Sequence, residues 1–372
     1  MASMKRKRSQ EDSGSEEEWP SCSSASKTKK STVRVVPSET SKWTIHDLRK
    51  VNISFSESKI SCPDELIDKF EQIKRLVPNL NEDYMKVYDY VQSKLDFDYP
   101  LDNLKQMNRI ELCGVLEMLD NLCKDLTSKN DDDGNQSLQK TLKEESQFMI
   151  DRVKVMGAIF ISELIDFIVK QDMSPSLPDT TYSSLLQSFC RICNFNGSFG
   201  VPKKTREICG VQVVAVPDLI YNLPLNSTIG WFSTTSIISV EEVKKKDIND
   251  PVETEKQQTR SSEGSSEQTF EPENVRGAAP HTGQLLLANP ESFFPFHSLG
   301  IILNETKVMF TCLVLTKNYK TNMEKKLEAD DSGVVYTCGP YDIMKADDRQ
   351  ILLQTFLRLG CSQNVLSRTT SS

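Results

Sequence analysis

Apolar residues recur at helical spacing in the first third of the chain. The first series consists of Leu66, Phe70, Ile73 and Val77, and the second of Leu112, Val115, Leu119, Leu122 and Leu126. Steps of three and four residues place these side chains on one face of a helix. We therefore predict a small helical domain over residues 43–128. Its apolar stripes are expected to form a core, and a groove for a helix of a protein partner is the alternative.

The pattern changes beyond residue 137. A longer helical stripe comes first, formed by Met149, Val153, Met156, Phe160 and Phe167, and Glu163 interrupts it. Short apolar runs follow, "VQVVAVPDLIY" from residue 211 and "TTSIISVEEV" from residue 234. Such runs, bounded by Gly, Pro and Asn, are typical of strands.

The C-terminal part continues with elements of both kinds. We predict a short helix at "TGQLLLAN", a hairpin that turns at Asn304 and Glu305, a strand near "GVVYTCGPYDI" and a last helix through Phe356. The order over residues 137–360 is helix, three strands, helix, strands, helix. This order predicts an α/β domain with a mixed sheet flanked by helices.

Three segments contain little that a core could bury. Residues 1–42 are dominated by Ser, Glu, Lys and Arg, residues from about 247 to 282 are similarly polar, and residues 361–372 end the chain. This composition is typical of disorder. We predict a disordered N-terminal tail, a disordered insert within the α/β domain and a C-terminal tail.

Charge and cysteine usage narrow the class of protein. The formal net charge of -8 argues against a chain that coats nucleic acid by bulk electrostatics. The ten cysteines are scattered, and no secretory segment or membrane-length apolar run appears. These features predict an intracellular protein without membrane contact. Cys190 and Cys193 form a single CxxC pair, for which structural thiols are a simpler interpretation than a zinc site.

A basic cluster lies within the predicted N-terminal tail. It consists of Lys5, Arg6, Lys7 and Arg8. Clustered cations on a flexible peptide suit recognition by a nuclear import receptor. We expect a nuclear protein; the alternative is a solvated charge run in a cytoplasmic one.

Charged residues follow two of the apolar runs. Asp218 comes directly after Pro217, whose missing N–H indicates that regular strand pairing ends there. Glu242 and Lys244 lie two apart in the second run, so alternation puts them on one face of a strand. Glu241 would face the other way, and the spacing to Lys244 favours Glu242. Two carboxylates and one amine at the same edge of a sheet suit a metal site. We expect Asp218 and Glu242 to bind Mg²⁺ (or Mn²⁺), with Lys244 beside an attacking water molecule.

One motif lies on these hydrophobic strands and consists of Pro217, Asp218, Glu242 and Lys244. It resembles the motif of the PD-(D/E)xK nuclease superfamily, the restriction-endonuclease-like proteins. The resemblance implies a core of helix, three strands, helix and strand, in which the aspartate and glutamate hold the metal and the lysine serves the water. It also implies a glutamate from the first core helix and a glutamine from the helix after the third strand. The matching positions here are Glu163 and Gln284.

Further cations lie close to these strands. Lys203, Lys204, Arg206, Lys245 and Lys246 are expected either to form a small basic rim for a nucleic-acid backbone or to be solvated strand ends. The layout of tail, helical module and nuclease-like domain also resembles that of Crinkler-type or mobile-element-derived proteins. We therefore expect a magnesium-dependent nuclease-like protein that hydrolyses or binds DNA or RNA. The alternative is a catalytically inactive nuclear scaffold that binds other proteins.

Overall fold

The computed structural model describes eleven stretches of the chain. They are residues 36–58, 60–69, 107, 110–114, 116–117, 142–174, 177–199, 202–222, 237–244, 277–294 and 296–369. These residues belong to one compact unit, Arg34–Ser372. None of the helices in this part of the chain combines the length and apolarity needed to cross a membrane.

The strands and helices alternate along the described residues. The strands are β1 Ile53–Phe55, β2 Ser198–Phe199, β3 Lys204–Ile208, β4 Val211–Ala215, β5 Leu219–Asn222, β6 Ile237–Lys244, β7 His297–Asn304, β8 Lys307–Leu315 and β9 Gly333–Asp342. The α-helices are α1 Ile45–Lys50, α2 Pro63–Ile67, α3 Leu142–Met173, α4 Asp179–Ile192, α5 Ala278–Ala288, α6 Tyr319–Asn322 and α7 Ala346–Thr369. Short 3₁₀ turns occupy Thr40–Lys42 and Asn289–Glu291.

Seven of these strands form a mixed sheet in the order β1-β9-β8-β7-β6-β5-β2. The pairs β6–β7 and β1–β9 are parallel, and the other neighbours are antiparallel. Strands β3 and β4 form a separate antiparallel hairpin. The prediction of an α/β fold with a mixed sheet flanked by helices is confirmed.

Two apolar cores cover the sheet. Leu219 and Tyr221 of β5 belong to a core that they share with α3, α4 and α7. Ile220, between them, belongs to the second core, which includes α5 and the β3–β4 hairpin. Because successive side chains of a strand point to opposite faces, the two cores lie on opposite faces of the sheet. We call these the α3/α4 face and the α5 face.

Several predicted elements lie where the sequence placed them. Strands β7 and β8 form the hairpin at Asn304 and Glu305, and Glu305 adopts φ 55° in the turn. Helix α5, strand β9 and helix α7 are present as well. Short-range apolar patterns were sufficient here because each element carries its own buried stripe or run.

The N-terminal boundary differs from the prediction. Residues 43–128 were expected to be helical, yet Ile53–Phe55 form an edge strand that pairs in parallel with Gly333–Val335 of β9. The three-residue sequence "ISF" is too short to show the alternation that indicates a strand. The strand that it pairs with, β9, lies far along the chain. Most of residues 43–128 lie outside the described part, so the helical domain as a whole stays a prediction.

The predicted disordered insert and the predicted C-terminal tail both overlap helices. The insert expected to end at 282 includes the first turn of α5, where Pro280 is tolerated because first-turn N–H groups have no intrahelical acceptor. The tail expected from 361 belongs to α7, which continues to Thr369. Gln363 fixes that end, because its Nε2 donates to the carbonyl oxygens of Asn196 and Asn222. Residues 1–35 and 245–276 lie outside the described residues.

Candidate functional site

The segment around Pro217 separates two strands. Strand β4 ends at Ala215 and β5 begins at Leu219, so pairing stops at the proline, as its missing N–H predicts. The sequence suggested one strand that ends on Asp218; instead Asp218 is an exposed residue that precedes β5. Asp218 therefore lies directly before a strand of the large sheet and is exposed to solvent.

The β5–β6 ladder ends one residue short of Asp218 and Glu242. Leu219 pairs with Glu241 and Ile220 pairs with Val240 in this antiparallel ladder. Extending the ladder by one residue beyond its last pair would set Asp218 across from Glu242. Directly opposite Cα atoms in such a ladder lie about 4.5–5.5 Å apart. The register therefore makes positions 218 and 242 candidates for neighbours at the start of β5.

Positions 241 and 242 fall on different faces of the sheet. In the parallel β6–β7 ladder, Glu241 pairs with Ile301 of the α3/α4 face, and Glu242 pairs with Ile302 of the α5 face. Lys244 pairs with Asn304, two residues further along the same strand. Alternation assigns positions 242 and 244 to the α5 face, in agreement with the spacing argument. The side chains of β6 lie outside the described part of the structure.

Gln284 of α5 contacts the Pro217 segment. Its side chain is buried, and its Nε2 donates a long hydrogen bond of 3.5 Å to the carbonyl oxygen of Val216. Val216 lies two residues before Asp218. The structure thus brings Gln284 of α5 to the segment that contains Asp218, just before β5.

Glu163 lies in the helical layer of the other face. On α3 it falls between Phe160, which packs edge-on against Phe189 of α4, and Phe167, which packs likewise against Tyr182. Among the described residues, the buried Oε2 of Glu163 has no hydrogen-bond partner. The structure does not bring Glu163 to the α5 face with Gln284, so its predicted role beside the metal stays a prediction.

The predicted basic rim is partly engaged within the protein. Lys204 and Arg206 of β3 both form ion pairs with Glu291, and the Arg206 Nε donates to the Leu287 carbonyl oxygen at 3.0 Å. Lys203 is exposed. These contacts hold the β3–β4 hairpin against the end of α5. Two cations of the predicted rim lie outside the described residues, Lys245 and Lys246. The predicted nuclear-targeting cluster also lies outside them; it consists of Lys5, Arg6, Lys7 and Arg8.

The predicted structural role of the CxxC thiols agrees with their surroundings. Cys190 and Cys193 are both buried, and burial raises the pKa of the Cys193 thiol well above its ordinary value. A protonated thiol is a poor metal ligand. The side chains that the structure describes, which do not include that of Glu242, form no cluster of three or more His, Cys, Asp or Glu suited to a metal.

Two exposed apolar residues near Asp218 were not singled out from the sequence. They are Phe199 of β2 and Val216, which precedes Pro217. Neither has a sequence signal of its own, because β2 has only two residues and Val216 continues the apolar run of β4. Strand pairing sets Phe199 opposite Leu219, the residue that follows the aspartate.

Comparisons of the chain with protein-family models, curated proteins and solved structures find no match. What this protein does must therefore be inferred from its own residues and their arrangement.

Proposed function

We propose that the protein is a metal-dependent nuclease of the PD-(D/E)xK type that hydrolyses phosphodiester bonds in nucleic acids. The observation that supports this proposal is the β5–β6 register, because its extension by one residue would set Asp218 opposite Glu242, with Lys244 two residues further along β6. This arrangement would gather two carboxylates and one amine at the start of β5, where Asp218 is exposed. Such a set suits the cleavage of a phosphodiester assisted by Mg²⁺.

The order of elements in the sheet also supports the proposal. From α4 onward, the large sheet is built from β2, β5 and β6, then helix α5, then β7. With α4 as the first core helix, this order is compatible with the helix, three strands, helix and strand that the resemblance implies, although Glu163 then lies on the preceding helix α3. The helical crossover through α5 makes β7 parallel to β6, as such connections require. The β3–β4 hairpin is an addition outside the sheet.

The residues present fit a magnesium ion. Asp218 and Glu242 offer oxygen ligands, which Mg²⁺ prefers, and the exposure of Asp218 leaves room for the waters that this ion retains. When bound, the metal would stabilise charge on the scissile phosphate and lower the pKa of a water molecule. Lys244 would orient that water or offset developing charge. Gln284 would act as a positioning residue, because its hydrogen bond to Val216 fixes the chain just before Asp218.

A cleavage assay with matched variants tests this proposal. Purified protein is incubated with single- and double-stranded DNA and RNA in Mg²⁺ or Mn²⁺, beside Asp218→Asn, Glu242→Gln and Glu241→Gln. We expect the first two to lose at least about 100-fold in cleavage rate, since each removes charge directed at the reacting centre. Glu241→Gln is the control, because position 241 belongs to the same strand but to the opposite face. It should retain nearly full activity.

Two results would contradict the proposal. Cleavage that survives Asp218→Asn would show that another site, or a contaminant, is responsible. Absence of cleavage with every substrate and metal would favour the alternative, a nuclease-like scaffold that binds protein partners. Circular dichroism of all three variants distinguishes lost chemistry from lost folding.

A further inference from the structure

Two free cysteines lie at the contact between α2 and β9. Cys62 is the residue directly before α2 and is half-buried, and Cys338 lies in β9 and is buried. The two residues are far apart in the chain, and neither belongs to the candidate metal site. A bond between them would join the N-terminal segment to the sheet.

The Tyr341 side chain connects the two cysteine positions. Its hydroxyl group lies 3.3 Å from the Sγ of Cys338 and donates a hydrogen bond of 3.4 Å to the carbonyl oxygen of Ser61. That carbonyl carbon is bonded to the backbone nitrogen of Cys62. One hydroxyl group therefore separates the Cys338 thiol from the backbone of Cys62.

Packing holds α2 in place against β9. Leu66 and Ile67 of α2 are fully buried in the core of the α3/α4 face, and this core also includes Cys338. Arg358 of α7 forms ion pairs with two aspartates of the same segment. These contacts fix the backbone on both sides of the cysteine pair, so the two thiols stay near each other in the folded protein.

The ionisation of the neighbouring groups is in keeping with this arrangement. Burial raises the pKa of the Cys338 thiol to about 11, and the nearby Cys62 raises it as well. Burial also raises the pKa of Tyr341, and both cysteines add to this effect. Titratable groups influence one another in this way only over short distances.

We propose that Cys62 and Cys338 form a redox-active pair that a peroxide oxidises to a reversible disulfide. Cys62 is partly exposed, so the peroxide reaches it first. Its thiolate attacks one peroxide oxygen, the O–O bond breaks, and the leaving hydroxide takes up a proton to give water and a sulfenic acid. The Cys338 sulfur then attacks the Cys62 sulfur, and the S–S bond forms as the hydroxide leaves with the Cys338 proton as a second water. Two thiols lose two electrons, which the peroxide gains.

The disulfide would fasten one edge of the sheet. Strand β1 has three residues, and among the described strands it pairs only with β9. A bond between positions 62 and 338 closes a loop that spans most of the chain, and in the chain-entropy account long loops stabilise the folded state most. Oxidation should therefore make the N-terminal segment harder to detach. This inference does not depend on the proposed nuclease function.

Peptide mapping after mild oxidation tests this inference. The folded protein is treated with a small excess of hydrogen peroxide, the remaining thiols are blocked with iodoacetamide in urea, and trypsin is added without reductant. Trypsin releases Cys62 in peptide 60–69 and Cys338 in peptide 327–345, and each peptide contains one cysteine. The variants are Cys62→Ser, Cys338→Ser and the control Cys113→Ser, whose thiol is exposed in another helical segment.

We expect the native protein and Cys113→Ser to give the two peptides joined, and dithiothreitol to separate them. Cys62→Ser and Cys338→Ser should both lose the joined pair. Oxidation should raise the Tm of the native protein by about 4–16 °C and leave that of Cys62→Ser unchanged. Cys62→Ser keeps this test sound if the buried Cys338→Ser fails to fold, because position 62 is half-exposed.

Three results would overturn the inference. The first is oxidation of Cys62 to a sulfinic acid while Cys338 is still alkylated by iodoacetamide. The second is the absence of joined peptides after peroxide treatment of the folded protein. The third is a joined pair that forms only when peroxide is added in urea, since an unfolded chain brings cysteines together without the native contact.

Discussion

Replacement of Gly300 by alanine tests how closely α5 approaches the sheet. Gly300 of β7 lies against His281 of α5 and pairs with Thr311 of β8. An added Cβ would come closer than 3.0 Å to both side chains, a separation that real Cβ atoms essentially never show. His281 and Thr311 are buried and joined by a hydrogen bond of 2.9 Å between Nε2 and Oγ1. Neither side chain can move away into solvent.

The expected cost follows from three contributions. Forcing an extra methyl group into a well-packed core costs about 1–3 kcal/mol. Disturbing the buried hydrogen bond between His281 and Thr311 adds about 1 kcal/mol. Replacing glycine also lowers the entropy of the unfolded chain, which stabilises the folded protein by about 0.4–1 kcal/mol. The net destabilisation of Gly300→Ala should be about 1–3.5 kcal/mol, which corresponds to a fall in Tm of about 2–14 °C at about 2–4 °C per kcal/mol for a large domain.

Urea unfolding followed by circular dichroism measures this change. The midpoint should fall while the slope m stays constant, because the surface exposed on unfolding is unaltered. Gly114→Ala is the control, since nothing lies within 4 Å of the Cβ that it would add. A Gly300→Ala midpoint equal to that of the native protein would refute the close approach. Thr311→Ala removes one of the two side chains that the added Cβ would meet. The double variant Gly300→Ala with Thr311→Ala should therefore be more stable than the sum of the two single effects predicts.

Two further predictions concern the N-terminal segment and strand β9. Arg358 of α7 forms ion pairs with Asp64 at 3.0 Å and with Asp68. Arg358→Met should therefore lower the free energy of unfolding by about 1 kcal/mol, a difference that shrinks in 1 M NaCl if it is electrostatic. Burial raises the pKa of the Cys338 thiol from 9.0 to about 11. The folded state thus holds this proton more tightly, so stability should be constant below about pH 9 and fall as the pH rises towards 11. Urea titrations of the native protein and Cys338→Ser measure this decline, and an equally steep decline in the variant would contradict the assignment.

The sequence predicted those parts of the fold whose signals are local. The β7–β8 hairpin is an uninterrupted pair of apolar runs around Asn304 and Glu305, and both strands lie at the centre of the sheet. Strand β1 could not be foreseen, because three residues carry no period and their pairing with β9 spans most of the chain. Apolar residues on both sides of Pro217 suggested one strand, whereas the structure has two in different sheets. The spacing of apolar residues along a strand does not show which other strand it pairs with.

The candidate site was predictable to a similar extent. The spacing of Glu242 and Lys244 assigned both to one face, and the register agrees. The engagement of Lys204 and Arg206 by Glu291 was not foreseeable, since the acid lies far along the chain at the end of α5. The number of cations in a segment does not show how many remain available to a ligand once local acids have paired with them.

The core itself fixes the register of β5 against β6. A slip of one residue between β5 and β6 would set Asp218 opposite Glu241, and it would also turn every β5 side chain to the other face. Leu219 and Tyr221 are fully buried against α3 and α4, while Ile220 is buried on the α5 side. A slip would therefore exchange one isoleucine for a leucine and a tyrosine in two closely packed cores. Since each misplaced large side chain costs about 1–3 kcal/mol, burial alone keeps β5 in register with β6. Variants of Asp218 and Glu242 can thus remove charge from the candidate site without loosening the strands that present it.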